Sequence, residues 1–147
     1  MFLGEQHSNS DYLAGLAVAV TVIMDGSRSF LIEIQLCIAC GWLICRETFE
    51  WYPRGSRADM ITSIITKQAG LKLQENGIFL NVVSGFNLTG TAGDLAIAAA
   101  ICSSFLEFPI LNGIAFIAEI DLSGELRMRI PSQMHSSKVW RFWVALI

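Results

Sequence analysis

The passage that most restricts this chain is Leu95–Leu106, "LAIAAAICSSFL", twelve residues without a charge between Asp94 and Glu107. A helix that crosses a bilayer needs about 20 predominantly apolar residues. This run is too short to span and too apolar to lie on a surface, so it reads as a helix buried on every side. Thr91 stands as its N-cap, with Asp94 three residues on in an acidic variant of the capping box. The carboxylate also meets the positive end of the helix dipole. Pro109 stops the helix. The glycine-rich turn "TGTAGD" ahead of it is therefore where a site would face.

The same length limit removes "YLAGLAVAVTVIM", between Asp11 and Asp25, as a membrane span. The first residues, "MFLGEQHSNSD", lack the basic region of a secretory signal. The expectation is an intracellular protein with no membrane partner. At 147 residues the chain is one domain, and 53% hydrophobic residues against 16% charged exclude a disordered chain. A net charge of −3 supplies no global field for nucleic acid. Arg54 and Arg57 come nearest to a basic patch and read as solvated surface.

The four cysteines are Cys37, Cys40, Cys45 and Cys102. "CIAC" has zinc-knuckle spacing, but zinc takes four ligands, and His7 and His135 sit at opposite ends of the chain. The cysteines therefore read as incidental thiols, and no metal site is expected.

Asp25-Gly26 between the apolar runs 13–24 and 29–36 is a hairpin signal. In the second run Phe30, Ile32, Ile34 and Leu36 alternate with Leu31, Glu33 and Gln35, the mark of a half-exposed strand. Ser56 opens a helix with Asp59 at the capping-box position, an apolar stripe of Ala58, Ile61, Ile64 and Ile65, and Gly70 at its end. "GIFLNVV" from Gly77 is a strand, and "NGIAFIAEIDLSGELRMRI" reads as two strands around Leu122–Gly124. Residues 37–53 show no clean period. The tail "PSQMHSSKVWRFWVALI" ends on an apolar run, Trp140, Phe142 and Trp143 included, with no partner segment after it. The order of elements makes an α+β domain with a mixed sheet.

The stretch from "GIFLNVVSGFNLTGTAGDLAIAAAICSSFLEFP" to "GELR" resembles the C-terminal Lon-protease-like domain of the RadA (Sms) DNA-repair ATPases, the plant organellar members above all. "IMDGSRSFLIEIQ" and "SRADMITSIITKQAGLKLQEN" continue the resemblance, which covers about three-quarters of the chain. It implies a Lon-like domain over 13–130, with a mixed sheet packed by two helices and incomplete at the C-terminus. Residues 1–12 would be a polar tail at the end of an ATPase core. Segments 37–55 and 131–147 are atypical, and the resemblance fails there and from about Arg127 on; a mis-spliced or frame-shifted reading is the expectation.

The resemblance also bears on catalysis. Lon proteases carry a serine nucleophile before this helix and a lysine base further on. Counting from Pro109 places the serine position at Ala92, and counting from Gly124 places the lysine position at Gln133, so both dyad members are lost. As substitutes, Thr91 is committed to capping and Lys138 is the lone lysine of the tail. No G-x-x-x-x-G-K-[ST] phosphate loop occurs. The implied role is a non-catalytic, oligomerising and DNA-engaging scaffold from a protein of recombinational repair and branch migration. The parent family uses ATP and Mg, forms rings, binds DNA through the full-length protein, and in plants works in chloroplast or mitochondrion. The alternatives are an ATP-dependent serine-type peptidase domain, or a truncated product without function. Neither the DNA-contacting residues nor the ring size is legible.

Overall fold

The structure is a computed structural model that describes residues 16–25, 28–40, 57–83, 88, 90–128 and 143–144. Strands β1 (Leu16–Asp25) and β2 (Arg28–Cys40) form the antiparallel ribbon that Asp25-Gly26 predicts. Asp25 lies opposite Arg28, so residues 26 and 27 alone make the connection. Along β2, Ile32, Ile34 and Leu36 are buried while Leu31 is 40% exposed, as expected of a strand with one face on a core. The strand continues beyond Leu36 to Cys40, into the segment where periodicity fails. "CIAC" gives no alternation to read; its order comes from β3 (Asn76–Val82), which pairs Cys37 with Phe79 and Ala39 with Gly77.

Helix α1 (Arg57–Ala69) buries Ile61, Ile64 and Ile65, with Ala58 partly buried beside them: the predicted stripe. Asp59 is in its first turn, while the Ser56 cap lies outside the described residues. The chain leaves the helix through Gly70 at φ +68°, a left-handed conformation that glycine adopts without a Cβ clash.

Helix α2 (Asp94–Leu106) is entered by a short 3₁₀ turn, Thr91–Gly93. Its end differs from the prediction. Glu107 takes the left-handed conformation (φ 53°), and its N–H and that of Phe108 both donate to the Ser103 carbonyl. Ser103 Oγ in turn donates to the Phe108 carbonyl at 2.6 Å. The helix is therefore closed by its own last turn, two residues before Pro109.

Short strands follow: β4 (Ile114–Ala115), β5 (Glu119–Ile120), β6 (Leu126–Arg127) and β7 (Trp143–Val144). β5 and β6 make the hairpin predicted around Leu122–Gly124, with Gly124 at φ +85°. The main sheet has the order β3-β2-β1-β4-β7, with β4 parallel to β1 and β7 parallel to β4. The sheet is mixed, as predicted. The tail expected to lack a partner has one for Trp143 and Val144, which pair with Ile114 and Ala115; Trp140 and Phe142 lie outside the described residues.

Helix α2 packs on the sheet face carrying Ala17, Ala19, Ile34 and Leu36, to which it contributes Leu95, Ala96, Ile97, Ala98, Ala100 and Ile101, and α1 packs against α2 in the same core. Among the described residues no helix is long and apolar enough to cross a membrane.

Candidate functional site

The turn before α2 is held by the backbone of the segment leading into β5. The Ala118 N–H donates to the Ala92 carbonyl (3.1 Å), and the Leu95 N–H donates to the Ala118 carbonyl (3.3 Å). These bonds fix the position that the resemblance assigns to a nucleophile. Ala92 occupies it, and its methyl packs beside Val22, Ala115 and Ile117. Nothing on that side chain can attack a carbonyl or hold a proton. Gly93 follows, where an added Cβ would meet Leu88 at 3.5 Å and the Thr21 methyl at 3.6 Å, ordinary contact.

Thr91 does not do what the sequence predicts. The caps of the 3₁₀ turn and of α2 are Gly90 and Gly93, and neither end carries a side-chain cap bond. The capping-box role of Asp94 fails with it, because Asp94 is committed elsewhere. Its side chain is almost fully buried and accepts from three donors. Arg57 Nε donates to Oδ1 at 2.9 Å, Arg57 Nη2 donates to Oδ2, and the Ile120 N–H donates to Oδ2 at 3.1 Å. A bidentate guanidinium on a carboxylate is the strongest ion-pair geometry available to side chains.

Arg57 also reaches the Ile120 carbonyl (3.5 Å) and Glu119 (3.9 Å). Its pKa is raised, first by the hydrogen bond to Asp94 and then by the charges of Asp94 and Glu119, against the opposing effect of burial. The expectation that Arg57 is solvated surface is therefore corrected: its guanidinium is bound to the buried Asp94 carboxylate. It joins the starts of α1 and α2 to β5. One signal was available: a lone carboxylate beside twelve uncharged residues needs a buried cation.

Among the described residues Thr21 Oγ1 is the one buried side-chain polar atom without a hydrogen-bond partner. Cys102, half-buried on α2, has its thiol pKa pushed up by burial. Gln133, Lys138, His7, His135, Arg54 and Cys45 lie outside the described residues. Among the described residues no three histidine, cysteine, aspartate or glutamate side chains come together as metal ligands.

Fold and site together define an α+β domain in which the glycine-rich turn carrying Ala92 leads into a helix tied by a part-buried arginine–aspartate clasp. A family model described as subunit ChlI of Mg-chelatase matches residues 55–135, more than half of the chain. The DNA repair protein RadA of Campylobacter jejuni is 30% identical over 152 residues, covering 95% of this chain and 32% of that protein. RadA of Treponema pallidum is 33% identical over 74% of this chain and 24% of its own length, and RadA of Brucella abortus is 32% identical over 86% and 26%. The chain belongs to the family of that model and to the RadA DNA-repair proteins. It spans 24–32% of the length of these relatives.

Proposed function

We propose that this chain is a Lon-like domain without peptidase chemistry, belonging to a RadA-type ATP-dependent protein of DNA repair, recombination and branch migration. Its role is that of an oligomerisation scaffold that also engages DNA within the assembled protein. The observation that carries the first half is Ala92: the turn is fixed by two backbone bonds, and an inert methyl packed on Val22, Ala115 and Ile117 stands where a hydroxyl would have to be. The Asp94 carboxylate, the nearest ionisable group in sequence, is committed to Arg57 and the Ile120 N–H rather than to the turn.

The relatives named as DNA repair proteins support the cellular process. ATP and Mg belong to the parent family. The sequence of this chain carries no phosphate-binding glycine–lysine loop. The assignment to chloroplast or mitochondrion rests on the resemblance to plant members and is tested by locating the full-length protein in fractionated plant cells.

Two measurements test the proposal on the 147-residue chain. Incubation with a fluorogenic peptide, alongside a Thr91→Ala variant, is expected to give equal background rates; turnover lost in the variant would restore the peptidase reading. Size-exclusion chromatography with light scattering is expected to give a mass that is a multiple of 16.2 kDa. A monomer at every concentration would remove the scaffold role.

A further inference from the structure

We infer that copies of this chain associate head to tail, the β5–β6 hairpin tip at Leu122 of one copy seating on the corner formed by residues 106–111 of the next. This rests on the scaffold reading above and gives it two surfaces.

The large apolar side chains most open to solvent among the described residues fall in two places. Leu122 leads at 78% exposed, and Phe108 (73%), Leu111 (67%) and Leu106 (60%) follow. The last three stand within six residues of one another, in the corner that carries the chain from α2 to β4. Single exposed leucines are ordinary, whereas a cluster of apolar side chains at one corner marks an interaction site.

Leu122 is unusual for its position. It takes the second place of the turn 121–124, where proline and polar residues predominate. The turn itself is firmly held. The Gly124 N–H donates to the Asp121 carbonyl at 2.9 Å, and Asp121 Oδ1 accepts from the N–H groups of Ser123 (2.9 Å) and Glu125 (3.0 Å). Gln68 Nε2 donates to the Ser123 carbonyl at 2.9 Å and so ties the tip to α1. A leucine presented on such a frame loses little backbone freedom on binding, which favours association.

The two surfaces stand apart in one chain. The Ile120 N–H, bonded to Asp94, and the Leu95 N–H, bonded to the Ala118 carbonyl, set β5 and its hairpin beside the start of α2. The corner begins at the other end of that helix, 13 residues and about 20 Å away. Charge then selects which surface meets which. From Ser103 to Ala118 the one charged residue is Glu107. Corner on corner, about a two-fold axis, would set Glu107 against Glu107 in an otherwise uncharged contact, and like charges there oppose pairing. The hairpin carries Arg127, its side chain 65% exposed, beside the acids Asp121 and Glu125. Tip on corner therefore gives Glu107 a cation within the contact. Unlike surfaces that pair in this way leave one of each open on every growing series, which ends by closing on itself.

The test uses side chains that the fold spares. Phe108 is anchored through its backbone, its N–H on the Ser103 carbonyl and its carbonyl on Ser103 Oγ, and the bonds of the hairpin turn involve no atom of the Leu122 side chain. Light scattering on the full chain is expected to show more than two copies for the wild type and a monomer for Leu122→Ser and for Phe108→Ser, with unchanged far-ultraviolet circular dichroism. Mixed in equal amounts, the two variants retain one working surface of each kind and are expected to form a dimer of twice 16.2 kDa and nothing larger. If Phe108→Ser does not fold, Leu111→Ser takes its place in the same mixture. A mixture that stays monomeric, or a wild type that stops at two copies, refutes head-to-tail pairing. An oligomer whose mass ignores both substitutions refutes these surfaces and leaves the scaffold reading standing. A wild type monomeric at all concentrations refutes both.

Discussion

Removing either member of the Arg57–Asp94 clasp should destabilise the domain, and by unequal amounts. The two partners differ in solvent access: the Asp94 side chain is 2% exposed and that of Arg57 is 37% exposed. Arg57→Ala leaves a carboxylate held in the core by the Ile120 N–H alone. Loss of one partner of a buried pair costs about 3–5 kcal/mol. Asp94→Ala leaves a guanidinium that can turn outward and rehydrate. Its main penalty is the orphaned Ile120 N–H, about 1–3 kcal/mol. Against a total domain stability of about 5–15 kcal/mol, the first substitution brings the chain near its limit. The double variant has no stranded charge and should resemble Asp94→Ala, which gives the pair a coupling energy equal to the whole Arg57→Ala loss, about 3–5 kcal/mol. Urea unfolding of the four proteins, followed by circular dichroism, measures each contribution. Additive single losses, or a smaller loss for Arg57→Ala than for Asp94→Ala, would refute the claim that a buried carboxylate depends on this cation.

Other substitutions probe the rest of the fold. Gly124 sits at φ +85° with an added Cβ only 3.1 Å from Gln68 Cγ, so Gly124→Ala should lower stability by about 1–2 kcal/mol in the same assay. Asp121 is held below the usual carboxylate range, first by the Ser123 hydroxyl, then by the N–H groups of Glu125 and Ser123 and by the charge of Arg127. A depressed carboxyl stabilises the fold above its unfolded pKa and ceases to do so as pH falls through its folded value. Ser123→Ala should therefore melt earlier than wild type at neutral pH, and the gap should close in strong acid; a gap that persists there would contradict the assignment. The Cys102 thiol, raised by burial, should react with an alkylating reagent at pH 8 far more slowly in the native chain than in urea, as peptide mass mapping would show.

Much of the architecture was legible because local signals agreed with it. Asp25-Gly26 placed the hairpin, the isoleucine stripe placed the buried face of α1, and Gly70 placed its end. The uncharged run of α2 announced a core helix before any coordinate. The failures share one cause, since each concerns a residue whose state is set by something distant in sequence. Asp94 looks like a cap when read with Thr91, but the cation 37 residues earlier outcompetes that local role. Arg57 looks solvated because its neighbours in sequence are polar. Residues 37–40 carry no period of their own and are ordered by pairing with β3. Trp143 and Val144, read as unpartnered, lie along β4, a strand of two residues too short to be read from sequence. Pro109 was given the helix stop that Glu107 and Ser103 already perform.

The chemistry of the turn before α2 decides whether this domain is a scaffold or a hydrolase, and a covalent probe tests it most directly. A fluorophosphonate that modifies activated hydroxyls should leave the intact mass at 16.2 kDa both for the native chain and for the chain in denaturant. A stoichiometric adduct, lost in Thr91→Ala or after unfolding, would mean that an activated oxygen exists beside Ala92 and that this domain is a hydrolase.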